Sequence, residues 1–440
     1  MREMESKRDR DLDQESHSEA KRRRVERLQT GDDRPSMNIA HHEAETTPLT
    51  TIESPRTSYQ YEPFSDSHGE QIRLLRVWRS HTGAVSCSLQ TCSLDEHEYH
   101  ALSYTWGPEH PTYNIEIDGK EFQIRENLYW FLHHCALGQV KYYSRRMPTY
   151  RHETSCYLWI DQICINQESI VEKSQQVQFM SEIYRTASTV IIWLGKDTGG
   201  GKECIDFLRE GPDNYRAQFE LSDEEFSAIP PSMRFGARLR KAARLLGEQP
   251  YVKRRWIIQE FALARKFCLL WGASGVGLEE SDLVFVLSRL HLNKRNEDPF
   301  EHLFDLRGEV LAAGPKGLDR PLIEIAAQFV DSECGDPRDT FYALQGLLRK
   351  EHRIPVDYDR TVEDIFWDAV TAAPPPDGPE KRNAIGQLIR RLDITGTSPG
   401  ATRHKAIRYL LALASIPERH IAPLEWGLEL NRKSSIFDDI

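Results

Sequence analysis

Nowhere in the 440 residues does an uninterrupted apolar run approach the ~18 to 20 that a membrane span requires. The first ten residues are charged and hold no apolar stretch, so no secretory signal is expected there. The eight cysteines, Cys87, Cys92, Cys135, Cys156, Cys164, Cys204, Cys268 and Cys334, include no CxxC pair. Several sit inside apolar runs, the pattern of buried thiols in a reducing compartment rather than of disulfides or a zinc site. P-loop, GxGxxG-after-strand, GxSxG and HExxH motifs are all missing, which sets aside the commonest nucleotide, serine-hydrolase and metalloprotease chemistries. The sixteen histidines show no ligand spacing, and no metal is expected. Excess positive charge is also lacking: the formal net charge is −11, which argues against a nucleic-acid-coating surface.

What is present divides unevenly. Hydrophobic residues make up 39% and charged residues 28%, a globular composition diluted by a polar tail. Residues 1–58 are rich in charge, Ser and Thr and nearly empty of large apolar groups, so they are expected to be disordered. They carry Lys7-Arg8 and, after a spacer, Lys21-Arg22-Arg23-Arg24. Two readings stand, a bipartite nuclear-import signal and a solvated charge run. Residues 59–275 alternate strand and helix patterns, 276–373 read as a helical extension, and 374–440 begin with a Pro-rich break followed by C-terminal helices, of which 407–414 is the clearest.

Within 59–275, residues 72–78 and 84–89 read as paired strands, and 99–107 as a strand stopped by Gly107 and Pro108. Asp118-Gly119 between alternating runs predicts a hairpin. Asn127 is positioned to cap a helix ended by Gly138. Residues 156–161 form a nearly continuous apolar run, the pattern of a strand buried on both faces. A helix over about 170–187 follows, with Val177, Met180, Tyr184 and Ala187 as its buried stripe. Residues 189–194 then complete a βαβ unit, whose strands should be parallel. Residues 196–235, with Gly199-Gly200-Gly201, read as loop. Helices over about 237–246 and 251–264 precede a strand at 267–271. The fold class implied is α/β, a mainly parallel sheet flanked by helices, with a helical C-terminal region.

Three segments carry polar groups where packing alone would not put them: Ala101 to Gly107, Leu158 to Gln167 (LWIDQICINQ) and Arg254 to Glu260 (RRWIIQE). In this order and spacing they resemble the heterokaryon-incompatibility (HET) domain of filamentous-fungal proteins. The likeness continues through Glu172, Gln176, Met180, Ile183-Tyr184 and Val190 to Gly195. It reaches Asp336-Pro337-Arg338-Asp339, Tyr342-Ala343-Leu344, Gly346-Leu347 and Asp357-Tyr358, so that it covers roughly residues 70–360.

The resemblance implies a module of non-self recognition and programmed cell death that acts with protein partners and by self-association. HET domains also look like distant relatives of Toll/interleukin-receptor (TIR) domains, whose core is flavodoxin-like. Several TIR domains cleave NAD with a glutamate on a helix bearing a Trp-Cys-x-x-Glu pattern. Here Trp256-Ile257-Ile258-Gln259-Glu260 keeps the spacing, with Ile257 in place of the cysteine. The alternative function is therefore an NAD glycohydrolase with Glu260 as catalytic carboxylate and NAD as substrate, with no resident cofactor. The bland alternative is that Glu260 pairs with Arg254, Arg255 or Arg265. Ser103, Tyr104, Trp106, Gly107, Asp161, Asn166 and Gln167 fall at strand ends, where ligands bind in open α/β sheets, and Trp256 would stack on a base. They are equally read as caps, loop satisfiers and core aromatics. No membrane or specific nucleic-acid partner is expected. The setting is intracellular, cytoplasmic or nuclear.

Overall fold

The computed structural model describes residues 57–65, 71–140, 156–211, 222–230, 233–272, 277–284, 299–374 and 378–394. The basic clusters of the tail, most of the loop expected over 139–155 and the helix expected at 407–414 lie outside them, as does most of the helix expected at 283–292.

A single nine-stranded sheet organises the chain: β1 (Gln71–Arg79), β2 (Val85–Ser93), β3 (Tyr99–Tyr104), β4 (Thr112–Ile117), β5 (Lys120–Arg125), β6 (Tyr157–Trp159), β7 (Thr189–Trp193), β8 (Phe267–Leu270) and β9 (Leu278–Glu279). Their spatial order is β5-β4-β2-β1-β6-β3-β7-β8-β9. The four strands read from continuous apolar runs, β6-β3-β7-β8, are neighbours and parallel. Their side chains are almost wholly buried, with Trp159 and Trp193 at 0% exposure. Each such burial contributes roughly 1.5–3 kcal/mol.

The expectation of a mainly parallel sheet needs correction, because the whole sheet is mixed. β1 pairs antiparallel with β2 and with β6, β4 with β5, and β8 with β9. The cause is local. The Ser80–Ala84 turn and the Asp118-Gly119 turn, both of whose central residues have positive φ (50° and 78°), close tight hairpins. A tight hairpin can join only antiparallel strands. Beyond β5, Tyr59 donates to the Glu121 carbonyl (2.8 Å) and Glu121 donates to the Thr57 carbonyl (3.1 Å), so residues 57–59 run along that edge.

Helices cover the sheet: α1 (Glu126–Ala136), α2 (Asp161–Cys164), α3 (Ile170–Thr186), α4 (Gly201–Arg209), α5 (Asp223–Ala228), α6 (Phe235–Gly247) and α7 (Trp256–Leu263). α3 has the expected stripe, and Ser169 caps it by accepting from the Glu172 amide. Two local expectations fail. Asn127 does not cap α1, whose N-cap is Arg125. Instead its side chain donates to the Thr105 carbonyl (2.6 Å) and accepts from the Trp193 indole (3.0 Å), tying β3 to β7. The Gly199–Gly201 run is no loose loop: Gly201 begins α4, and the Asp197 carboxylate accepts from the amides of Gly199, Gly201 and Lys202.

The segment 276–373, read as a helical extension, holds α8 (Pro299–Ala313), α9 (Leu322–Gln328), α10 (Asp339–Gln345) and α11 (Val362–Thr371), and α12 (Pro379–Arg391) follows the Pro-rich break. α8 and α10 pack directly on α7.

Candidate functional site

Glu260 sits in the second turn of α7 with its side chain turned toward β3, and it is only 2% exposed. Ser103, fully buried on β3, donates from Oγ to Glu260 Oε2. The same Oγ shares a hydrogen bond of 2.8 Å with the Tyr251 hydroxyl. When Glu260 is ionised, Ser103 spends its single proton on the carboxylate, and Tyr251 is then the donor of that pair. A directed chain of hydroxyls therefore ends on Glu260. Among the described residues no ion pair joins Glu260 to an arginine. Loss of water pushes its carboxyl up to about 7, against the opposing pull of Arg254 and of the Ser103 hydrogen bond.

The strand ends supply the rest. Asp161, just past β6, accepts from the Trp106 indole (2.7 Å) and from the Gln162 amide (2.7 Å), and burial raises its carboxyl above the ordinary range despite nearby Arg254. Arg254 donates to the Tyr104 carbonyl at the end of β3. Tyr104 directs its hydroxyl to Gln162 (3.1 Å). The positive φ of Gly107 (75°) turns the chain so that its carbonyl meets Arg125 (2.9 Å). Ser103, Tyr104, Trp106, Gly107, Asp161 and Glu260 thus lie toward the carboxyl ends of the parallel strands.

Three expected site residues go elsewhere. The Asn166 amide donates to Glu172 (2.7 Å) and its side chain accepts from the Glu168 amide (3.2 Å), while Gln167 donates to the Asp161 carbonyl (2.8 Å). Both satisfy the loop backbone. Glu172 itself belongs to a buried bidentate pair with Arg73 (2.5 and 3.0 Å). Trp256 does not join Glu260. Its indole donates to Asp339 (2.9 Å), whose other oxygen accepts from the Tyr358 hydroxyl (2.6 Å). Trp256 opens α7 directly after a 3-10 turn, Pro250–Lys253, so it lies at the rim, where the extension covers it.

The matching segments, 101–107, 158–167 and 254–260, therefore carry both the middle of the sheet and the polar cluster. The family described as heterokaryon incompatibility protein (HET) matches residues 99–260, from the first residue of β3 to Glu260. The chain carries a HET domain. It is also similar to heterokaryon incompatibility protein 6, OR allele, of Neurospora crassa, at 29% identity over 238 residues, covering 47% of this chain. The match spans 34% of that relative, about a third of its length. No solved structure matches the chain.

Tyr251 and Tyr184 join the HET cluster without having been singled out as site residues. Tyr184 belongs to the core stripe of α3 and donates to the Leu102 carbonyl (3.0 Å) beside Glu260. Nothing in the local sequence distinguishes Tyr251, whose partner is 148 residues away.

Proposed function

We propose that this chain acts in heterokaryon incompatibility, as a non-self recognition module that drives cell death through self-association with protein partners. The observation that carries the reading is the coincidence of the HET match with the buried cluster around Glu260. The matched segment supplies Ser103, Asp161, Arg254 and Glu260. Perturbed carboxylates in a buried polar cluster are common at working sites. The name of the Neurospora crassa relative, a heterokaryon incompatibility protein, agrees with it. Among the described residues no helix is long and apolar enough to cross a membrane. For the tail we propose nuclear import by Lys21 to Arg24. Alanine at those four positions should shift a tagged protein toward the cytoplasm, and an unchanged distribution would leave only a charge run.

A second reading, NAD cleavage in the manner of TIR domains, draws on one observation. Numbered by chain position, the parallel strands β3, β6, β7 and β8 lie in the order 2-1-3-4, which is the flavodoxin-like order, and Glu260 lies by their carboxyl ends. There an ionised Glu260 would stabilise the oxocarbenium-like ribose as nicotinamide leaves and water adds. With Glu260 2% exposed, substrate would reach it only after α7 or the strand-end turns open.

One experiment separates the two. The full chain is fused to an inducible dimeriser and expressed in a filamentous fungus, with and without Glu260→Gln, while growth and nicotinamide release are followed. Dimerisation should arrest growth. Loss of both arrest and release in the Gln variant supports the enzyme. Full arrest by a stably folded Gln variant refutes it and leaves the self-association module. No arrest on dimerisation of the native chain refutes self-association.

A further inference from the structure

We infer that the helical extension is the positioning element of the Glu260 site, setting that carboxylate by holding Arg255 and Trp256 at the start of α7, the latter through Asp339 of α10; this rests on reading the cluster as the working site. α7 has eight residues, too few to hold its own geometry in water. Its placement must come from what it touches: α3 and β3 on one side, and on the others α8 and α10, which lie beyond residue 260, where the HET match ends.

At its N-terminal end, Arg255 is 1% exposed. Its guanidinium donates to the carbonyls of Phe329 (2.6 Å), Thr340 (3.2 Å) and Ala326 (3.3 Å). Its amide donates to the Glu333 carbonyl (2.8 Å), and the Glu333 amide returns to Lys253 (2.6 Å). In the first turn Trp256 is held by Asp339, itself fixed by Tyr358. On the same side, Gly346 lies so close to Gln259 that a Cβ there would overlap its amide oxygen. At the C-terminal end Arg307, on α8, donates to the carbonyls of Phe261 (3.0 Å) and Ala264 and is paired with Glu280 (2.9 Å). These are the carbonyls a helix end leaves without partners. Glu260 alone points the other way, to Ser103. The helix is a short bar held at both ends and along one side by the extension, with the site on the side that faces β3 and α3. Displacing the extension would draw the carboxylate off Ser103.

The test uses the titration of Glu260 in the full chain. The difference in stability between the native chain and its Glu260→Gln variant is followed across pH, first in the native background and then with Trp256→Phe, which keeps an aromatic ring, smaller than the indole, and removes the N–H. The groups that face the carboxylate are untouched: Ser103 from β3, Tyr251 and Arg254 from the segment before α7, Tyr184 from α3 and Asp161 beyond β6. If the extension positions α7, Trp256→Phe lets water in; burial is the largest influence on this carboxyl, so its relief outweighs the loosened Ser103 hydrogen bond and the midpoint falls by about one pH unit or more toward the ordinary carboxylate value. A less stable protein with an unmoved midpoint would overturn the inference and make Trp256 a packing contact only. Asp339→Asn, read by the same criterion, decides the matter if the Phe variant does not fold. Survival of growth arrest in Glu260→Gln would instead sink the working-site reading while leaving the positioning result intact.

Discussion

Replacing Glu260 by Gln should change stability in a way that depends on pH. The native carboxyl is pushed up to about 7 from an ordinary 4.5, chiefly by burial. A shift of that size corresponds to roughly 3 kcal/mol at about 1.4 kcal/mol per unit. The unfolded chain releases this proton near pH 4.5, whereas the folded chain holds it until about 7. Between those values the folded state binds the extra proton, so rising pH favours unfolding. The stability that Glu260 contributes relative to Gln is therefore greatest below pH 4.5, falls through the window up to about 7, and is flat above it. Gln does not titrate, so every other ionisable group cancels in the difference. Urea unfolding of both proteins at pH 5, 6, 7 and 8 measures it directly. In thermal melts the loss from pH 5 to pH 8 should appear as a relative shift on the order of 3–5 °C. A difference that stays level across this range, or that grows in favour of Glu260 as pH rises, would refute the account of a desolvated carboxylate.

Further outcomes follow from the same contacts. Ser103→Ala removes the donor to Glu260 and strands Tyr251, so it should cost about 1–3 kcal/mol and raise the Glu260 midpoint above its native value; a lowered midpoint in the same titration would contradict this. Glu172→Ala leaves Arg73 buried without its partner and should cost roughly 3–5 kcal/mol, while the double variant Arg73→Met with Glu172→Leu should lose clearly less. Denaturant melts giving the double variant the larger loss would overturn that. Asp197→Ala frees three amides at the start of α4, at a cost of about 1–2 kcal/mol, with faster hydrogen exchange at Gly199, Gly201 and Lys202; unchanged exchange would show that the cap is not needed.

Much of this arrangement was legible in the residues because it is written locally. Continuous apolar runs marked β3, β6, β7 and β8, Asp118-Gly119 marked a hairpin, and a stripe at three- and four-residue steps marked α3. The strand-end position of Ser103, Trp106 and Asp161 followed from those runs alone. What stayed hidden depends on partners far away in sequence. Trp256 and Glu260 are four apart, which predicts a shared face, yet Asp339 lies 83 residues on and takes the indole. Asn127 had the chemistry of a cap, but its two polar ends fit a gap between strands that only the folded sheet creates. The glycines at 199–201 disguised a helix start because the capping group, Asp197, precedes them. The parallel character of the central strands was overextended to the whole sheet, since pairing between hairpins and core leaves no mark on either segment.

The rims of the sheet bear on how two copies could meet. Exposed strand edges are the usual template on which a second chain adds backbone to backbone. Here one rim is β9, only two residues long, and the other, β5, has the chain's own residues 57–59 laid along it. Neither leaves a long row of free amides and carbonyls among the described residues. Two molecules that come together through this part of the protein would have to do so by side chains on helical or loop surfaces. Such contacts can be tuned one residue at a time and differ between closely related proteins without disturbing the sheet beneath.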